Sequence, residues 1–420
     1  MPVISNRSLT VLVLGALSAV IVLACQTDYD AIGNPRWWKG NTHTHTLWSD
    51  GDGAPEKVAA WYRQHGYQFL VLSDHNVLSV GDRWFPVSSD GTGRLTDERL
   101  EELRRDFGEH WVETRSSNDR TEMRLKTLSE LRARYESPGE FIFIQGEEVT
   151  DHFERHEIHI NAINLDELIL PQHGNSVVDT IQRNLDAIIA HGKTVGKPVL
   201  AHINHPNFGW SLTAEDLATI RGERFFEVYN GHPGVHNDGD ETRPSTERMW
   251  DVANTLRLTK LDLPLLLGMA TDDSHHYFDW GVGKVNSGRG WVMVRSEVLS
   301  ADALVDAMHA GDFYGSSGVE LKDVHSDAYG FTISIVEDEG VSYRTEFVGT
   351  RENADGVLEI GVVLAVSEDN PATYSFAGNE LFVRAKIVSS RIHPNPYKLG
   401  DFETAWVQPV IPHNLSERSD

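Results

Sequence analysis

Asn41-Thr42-His43-Thr44-His45-Thr46-Leu47-Trp48-Ser49-Asp50-Gly51 carries two histidines on alternate positions, then an aspartate leading into a glycine turn. Residues i and i+2 of an extended strand point to one face. His43 and His45 therefore present two imidazoles side by side, as a metal ion requires. Asp50 sits past the strand end, where it can fold back as an oxygen ligand. A bare histidine pair is more often a surface feature, so the reading turns on partners elsewhere in the chain.

The chain has 420 residues, room for one large domain and a smaller one. Lys and Arg number 37 against 63 Asp and Glu, a net charge of −26. Such a chain repels nucleic acid and anionic membrane surfaces. Twenty histidines against a single cysteine exclude a multi-thiolate metal site and an intramolecular disulfide. Metal chemistry here is imidazole and carboxylate chemistry.

Residues 1–25 read as a targeting signal: Arg7, an apolar run from Leu9 to Ala24, then Val22-Leu23-Ala24-Cys25. That ending resembles a bacterial lipobox, which implies lipidation at Cys25, the only cysteine, and a bacterial cell-envelope location with a lipid anchor. Gln26 follows, which in a diderm host suggests the outer membrane.

The mature chain alternates apolar strands with amphipathic helices. Phe69–Leu72, Phe141–Ile144, Val199–Ala201, Phe225–Tyr229 and Leu265–Leu267 read as buried strands. Continuous apolar runs alternating with helices predict a parallel, doubly covered sheet or barrel. Polar groups recur where these strands end, as in barrel active sites: His75, Glu148, His159, His205, Asp273 and His275. The stretch from Val80 to about Arg120 reads as a charged insertion with a helix around Thr96–Phe107, and a helix is expected over Glu122–Tyr135. After Val319 the pattern shifts to short strands, so residues 26–318 form the expected main domain and 319–420 a small antiparallel β appendage.

In this order, His-x-His, Ser-Asp-His-Asn, Gly-x-Glu, Ala-His-x-x-His-Pro and Asp-x-His resemble the PHP (polymerase and histidinol phosphatase) family over about Lys39 to Gly318. The resemblance implies a distorted (β/α)7 barrel and three divalent metal ions, Zn, Mn or Fe. It also implies a metal-dependent phosphoesterase, in which a metal-bound hydroxide attacks the phosphorus of a small-molecule phosphoester. Carried over position by position, it implies His43, His45, Asp50, His75, Glu148, His159, His205, Asp273 and His275 as ligands. His156 and Glu147 are the weaker alternatives beside His159 and Glu148. The family usually shows Ala-His-Pro, whereas this chain has Ala201-His202-Ile203-Asn204-His205-Pro206. Histidine before proline favours His205 as ligand, with His202 supporting it, as Asp74, Asp272 and His276 are expected to support others.

His232 and Asp273 are the candidate proton donors or relays. Arg155, Arg243 and Arg289, with Lys284, are the candidate phosphate contacts, because a guanidinium matches phosphate geometry. Two competing readings are a hydrolase of a non-phosphate substrate and a non-catalytic envelope binding protein. The complete ligand set speaks against the second.

Overall fold

Trp37-Trp38-Lys39-Gly40 opens the first strand, β1 (Arg36–Asn41), which leads straight into the His43 stretch. Gly40 is required there: a Cβ would stand 2.2 Å from the ring of buried Phe69. The computed structural model describes residues 35–412, so Cys25 and the lipobox lie outside the described residues.

Pro55 at the first turn starts α1 (Pro55–Gln64), which leads to β2 (Phe69–Leu72). The insertion follows: β3 (Trp84–Pro86), α2 (Asp97–Phe107), β4 (Thr114–Ser117) and β5 (Arg120–Arg124). Thr96 caps α2 as its sequence suggests. The three strands form their own small sheet. The expected Glu122–Tyr135 helix is shorter, α3 (Leu128–Tyr135), because Thr127 and Glu130 close a capping box there.

Next come the long hairpin β6 (Ile142–Phe153) and β7 (His156–Ile163), then α4 (Val177–Val195) and β8 (Leu200–Ile203). After these run α5 (Ala214–Thr219), β9 (Phe225–Asn230), α6 (Thr246–Leu256), β10 (Leu267–Thr271), β11 (Trp291–Ser296), α7 (Ala301–Ala310) and β12 (Phe313–Ser316). The C-terminal strands are β13 (Leu321–Ser326), β14 (Gly330–Ile335), β15 (Tyr343–Glu352), β16 (Leu358–Ser367), β17 (Ala372–Ser375), β18 (Glu380–Ile392) and β19 (Phe402–Val410).

The result is an α/β protein built on one large mixed sheet of 13 strands, ordered β10-β9-β8-β7-β6-β2-β1-β11-β12-β19-β18-β15-β16. The expected (β/α)7 barrel is not what the hydrogen bonds form: among the described residues no backbone ladder closes the sheet on itself. Two local causes are visible. β6 and β7 are joined by only Glu154 and Arg155, a link too short for a parallel crossover, so they pair antiparallel. At the other end of the sheet, the Gln408 carboxamide takes both backbone groups of Gly268 in β10, accepting from its N–H and donating to its carbonyl at 2.8 Å each. A side chain thus satisfies part of the edge that a closing strand would have paired.

Of the C-terminal strands, β13, β14 and β17 form a separate three-stranded sheet, while β15, β16, β18 and β19 continue the main sheet through the β19–β12 pairing. They are also fastened to α6 by a buried bidentate pair, Arg384 donating to both Asp251 oxygens at 2.7 and 2.9 Å. Parallel pairings β1–β2, β2–β6, β8–β9 and β9–β10 align several C-terminal strand ends on one rim, and the polar clusters gather there.

Candidate metal centre

Glu148 lies at the middle of the cluster. Its strand, β6, runs past its parallel pairing with β2 and lifts the carboxylate into the ring of histidines. Its Oε1 stands 3.4 Å from His43 Nε2, 3.0 Å from His159 Nδ1 and 3.5 Å from His205 Nε2. Its Oε2 stands 3.3 Å from His45 Nε2 and 2.9 Å from His75 Nδ1. Asp273 faces it across the site, with Oδ1 3.2 Å from both His43 Nε2 and His45 Nε2. Asp50 joins from the solvent side, 3.3 Å from His275 Nε2 and 3.5 Å from His75 Nε2.

These contacts resolve into four groups whose ligand atoms all lie within 4.8 Å of one another: His43, His45 and Asp273; His43, Glu148 and His205; His75, Glu148 and His159; and His45, Asp50, His75 and His275. Together they bring in all nine residues the sequence proposed as ligands and no other described residue. Glu148 belongs to two groups, the position of a bridging carboxylate. The donor set fits divalent cations. Of the atoms facing one another here, His43 Nε2, His45 Nε2 and Glu148 Oε2 are buried without a hydrogen-bond partner. Buried polar atoms are almost always paired, and orphans converging from several elements mark a place for a cation.

The electrostatics follow from this crowding. Burial opposes charge on His43, yet Asp273, Glu227 and Glu148 raise its pKa well above the ordinary value. Burial and the imidazoles of His275 and His75 push His45 down to about 3. Despite burial, the surrounding imidazoles, His75 foremost for Glu148 and His43 for Asp273, hold both carboxyls well below the usual range. Both carboxyls are ionised.

Two of the nine sit on strained backbone, His205 at φ 24° and Asp273 at φ 51°. Such conformations cost about 1–3 kcal/mol each. They are held by backbone bonds, His205 N–H to Glu227 Oε2 at 2.7 Å and Asp273 N–H to the His43 carbonyl at 3.0 Å.

The supporting residues differ in part from expectation. Asp74 bonds no imidazole; it accepts from the Thr46 and Ser49 amides and hydroxyls and so shapes the turn that presents Asp50. Asp272 ties β10 to the next loop, accepting from the amides of Gly288, Arg289 and Gly290 and from Tyr62. His276 accepts from the Val285 amide and steadies its own loop. His202 is fully buried behind the site, 6.3 Å ring to ring from His43, with no partner for either nitrogen.

The arginines are elsewhere. Arg289 is completely buried and spends its guanidinium on carbonyls of Gly231, Lys284, Gly281 and Asn395. It is a strut between loops. Arg155 is exposed at the tip of the β6–β7 hairpin, with no ion pair among the described residues. Arg243 pairs with Asp240 at 3.4 Å and lies 4.2 Å over the Trp210 ring. Lys284 pairs with Asp279 at 3.9 Å.

Two supporting residues escaped the sequence reading. Glu227 in β9 accepts from His43 Nδ1 at 2.7 Å, and Asn204 donates to Glu148 Oε1 at 2.8 Å. A lone acid inside Phe225-Phe226-Glu227-Val228 is the signal that was available.

No family model matches the chain, and no curated protein does. Similar solved structures include a two-domain protein containing a predicted PHP-like metal-dependent phosphoesterase from Bacteroides vulgatus. It is 13% identical with a TM-score of 0.40, covering 89% of this chain and 95% of that one. Another is assigned as a metal-dependent phosphoesterase from Bifidobacterium adolescentis, 15% identical with a TM-score of 0.30, covering 66% and 96%. A third is an amidohydrolase from Chromobacterium violaceum, 16% identical with a TM-score of 0.23, covering 46% and 77%.

Proposed function

We propose that this chain is a PHP-family metal-dependent phosphoester hydrolase, acting on a small-molecule phosphoester and tethered to the bacterial envelope through Cys25. The observation that carries the reading is the convergence of nine imidazole and carboxylate side chains, in family order, with His43 Nε2, His45 Nε2 and Glu148 Oε2 buried and without a hydrogen-bond partner at its middle.

His43, His45, Glu148, His159, His205 and Asp273 would hold the inner cations, and Asp50, His75 and His275 the outermost one of three. Divalent cations, when bound, supply an activated water and neutralise charge on the equatorial oxygens of phosphorus. Three carboxylates against three dications leave the ligand shell net positive. A phosphate group would then be attracted by the cations, with Arg94, which donates to the Ser49 and Gly51 carbonyls on either side of Asp50, the guanidinium at the rim.

The chain's own residues do the rest. His232 takes the Gly234 N–H on its Nδ1 at 3.0 Å, and burial holds its pKa down to about 4. The ring is therefore neutral with its proton on Nε2, a donor beside His275 at 5.9 Å between ring centres. A neutral ring is not an acid near pH 7, so this N–H would serve the leaving oxygen as a hydrogen-bond donor. Phe208 walls the site between the His205 and His232 rings at 5.2 and 5.9 Å, limiting water access on that side.

The test is a panel of p-nitrophenyl phosphate, its bis-ester and p-nitroacetanilide, assayed with Zn, Mn or Fe loaded. Metal-dependent release from either phosphate compound supports the reading. Release from the anilide alone assigns a non-phosphate hydrolase, and no release from any of the three sinks the catalytic reading for these substrates.

A further inference from the structure

Glu227 lies behind the metal centre and is fully buried in a strand whose neighbours are Phe225, Phe226 and Val228. A buried carboxylate is costly unless its oxygens are fully paired. Here four groups donate to it: His43 Nδ1 and Thr271 Oγ1 to Oε1, each at 2.7 Å, and His205 N–H and Asn230 Nδ2 to Oε2, at 2.7 and 2.8 Å.

Three of these four lead to expected ligands. The His43 bond fixes that ring with its proton on Nδ1 and its lone pair on Nε2, the atom facing Glu148 and Asp273. The His205 bond holds the amide of a residue in a strained conformation. Asn230 also reaches Asp273 Oδ2 at 3.2 Å. Asp50, His75 and His275, which form the solvent-side group with His45, make no bond to Glu227 among the described residues.

We propose that Glu227 is a positioning residue for the inner half of the centre, aligning His43, His205 and Asp273 together while leaving the outer group independent. The proposal rests on the metal reading above. It divides one cluster into two parts that respond differently to a single substitution. Glu227→Gln keeps the shape but replaces one acceptor oxygen with an amide donor, which then opposes an N–H of His43 or His205. Supporting residues of this kind typically change metal affinity by about 10–100-fold.

The test titrates the metal-stripped full chain with Zn²⁺ by calorimetry, with elemental analysis after dialysis. Glu227→Gln should bind its inner ions at least tenfold more weakly and retain the outer one. Thr271→Val, which removes one bond to Glu227 but none to a ligand, should titrate like the parent. Far-ultraviolet circular dichroism checks that the stripped variants are folded. If Glu227→Gln is not, Glu227→Asp, which keeps the charge and withdraws the oxygens, takes its place with the same expectation. Nitrogen-15 histidine spectra provide the readout a purely structural role would not move: the His43 Nδ1–H signal should shift in the glutamine variant and stay put in Thr271→Val. Parent-like Zn²⁺ stoichiometry and affinity with an unmoved His43 signal would overturn the proposal while leaving the metal centre intact. Equal weakening of all ions would overturn the division into two parts. A parent chain that binds no Zn²⁺ would instead refute the metal reading, and Glu227's role with it.

Discussion

Replacing Arg289 should destabilise the protein without weakening substrate binding. The guanidinium makes bonds to four carbonyls, at 2.9 Å to Gly231, 2.5 Å to Lys284, 2.9 Å to Gly281 and 3.1 Å to Asn395, and a longer one of 3.3 Å to the Asn395 side chain. A hydrogen bond to a charged group contributes roughly 1.5–3 kcal/mol, and a buried carbonyl left unpaired costs about 1–3. These terms are not additive, and water entering the gap recovers part of them, so Arg289→Met should cost about 3–5 kcal/mol. Urea denaturation of metal-loaded protein measures the loss as a lowered midpoint at unchanged slope. Steady-state kinetics on the folded fraction should show KM within about twofold of the parent, since no bond of Arg289 faces the metal centre. A variant with parent stability and a KM raised tenfold or more would refute the reasoning and return Arg289 to the substrate.

His232→Ala should lower kcat by about 10–100-fold for an alkyl phosphate, whose leaving oxygen gathers charge that the His232 N–H would hydrogen-bond, and far less for p-nitrophenyl phosphate. Elemental analysis should find its metal content unchanged. Glu147 is buried with one oxygen unpaired, and burial raises its pKa from 4.5 to about 8. The folded state therefore binds this proton more tightly than the unfolded chain. The stabilisation is complete below pH 4.5 and is lost as pH rises through 8. Glu147→Gln keeps the acceptor for the Ile169 amide and should flatten the stability-versus-pH curve between pH 5 and 9 by about 3–5 kcal/mol, read from denaturation midpoints. Cys25→Ser should move the protein from the membrane fraction to the soluble fraction of its host, seen by fractionation and immunoblot.

The residues that gather in the cluster were legible because they follow simple rules. His43 and His45, two residues apart just past β1, bring their rings to 5.1 Å of each other, and His75, His205, Asp273 and His275 also stand just past apolar runs, where strands end. What distance along the chain cannot show is which polar group meets which. Arg289 looks like any arginine until the loops of Gly231, Gly281 and Lys284 fold around it. Asp74, beside a ligand histidine in sequence, turns its carboxylate to Thr46 and Ser49 instead. The expectation of a parallel sheet or barrel followed from apolar runs alternating with helices, and the (β/α)7 form from the family resemblance, but such runs do not specify direction. The two-residue link at Glu154 and Arg155 lay hidden in a polar stretch. The edge of β10 is met by Gln408, 140 residues away, a contact no local pattern encodes. Glu227 shows the opposite case: an acid in an apolar strand was visible as an anomaly, and only the fold explains it.

The central claim is that nine side chains from separate elements form one multinuclear metal centre. The most direct measurement is elemental analysis of the full chain, loaded with Zn, Mn or Fe and then desalted, beside Glu148→Ala, which deletes the carboxylate shared by two ligand groups. The account predicts three tightly held divalent ions per parent chain and a loss of at least one in the variant. Fewer than one ion per parent chain, or equal content in the two proteins, would contradict it.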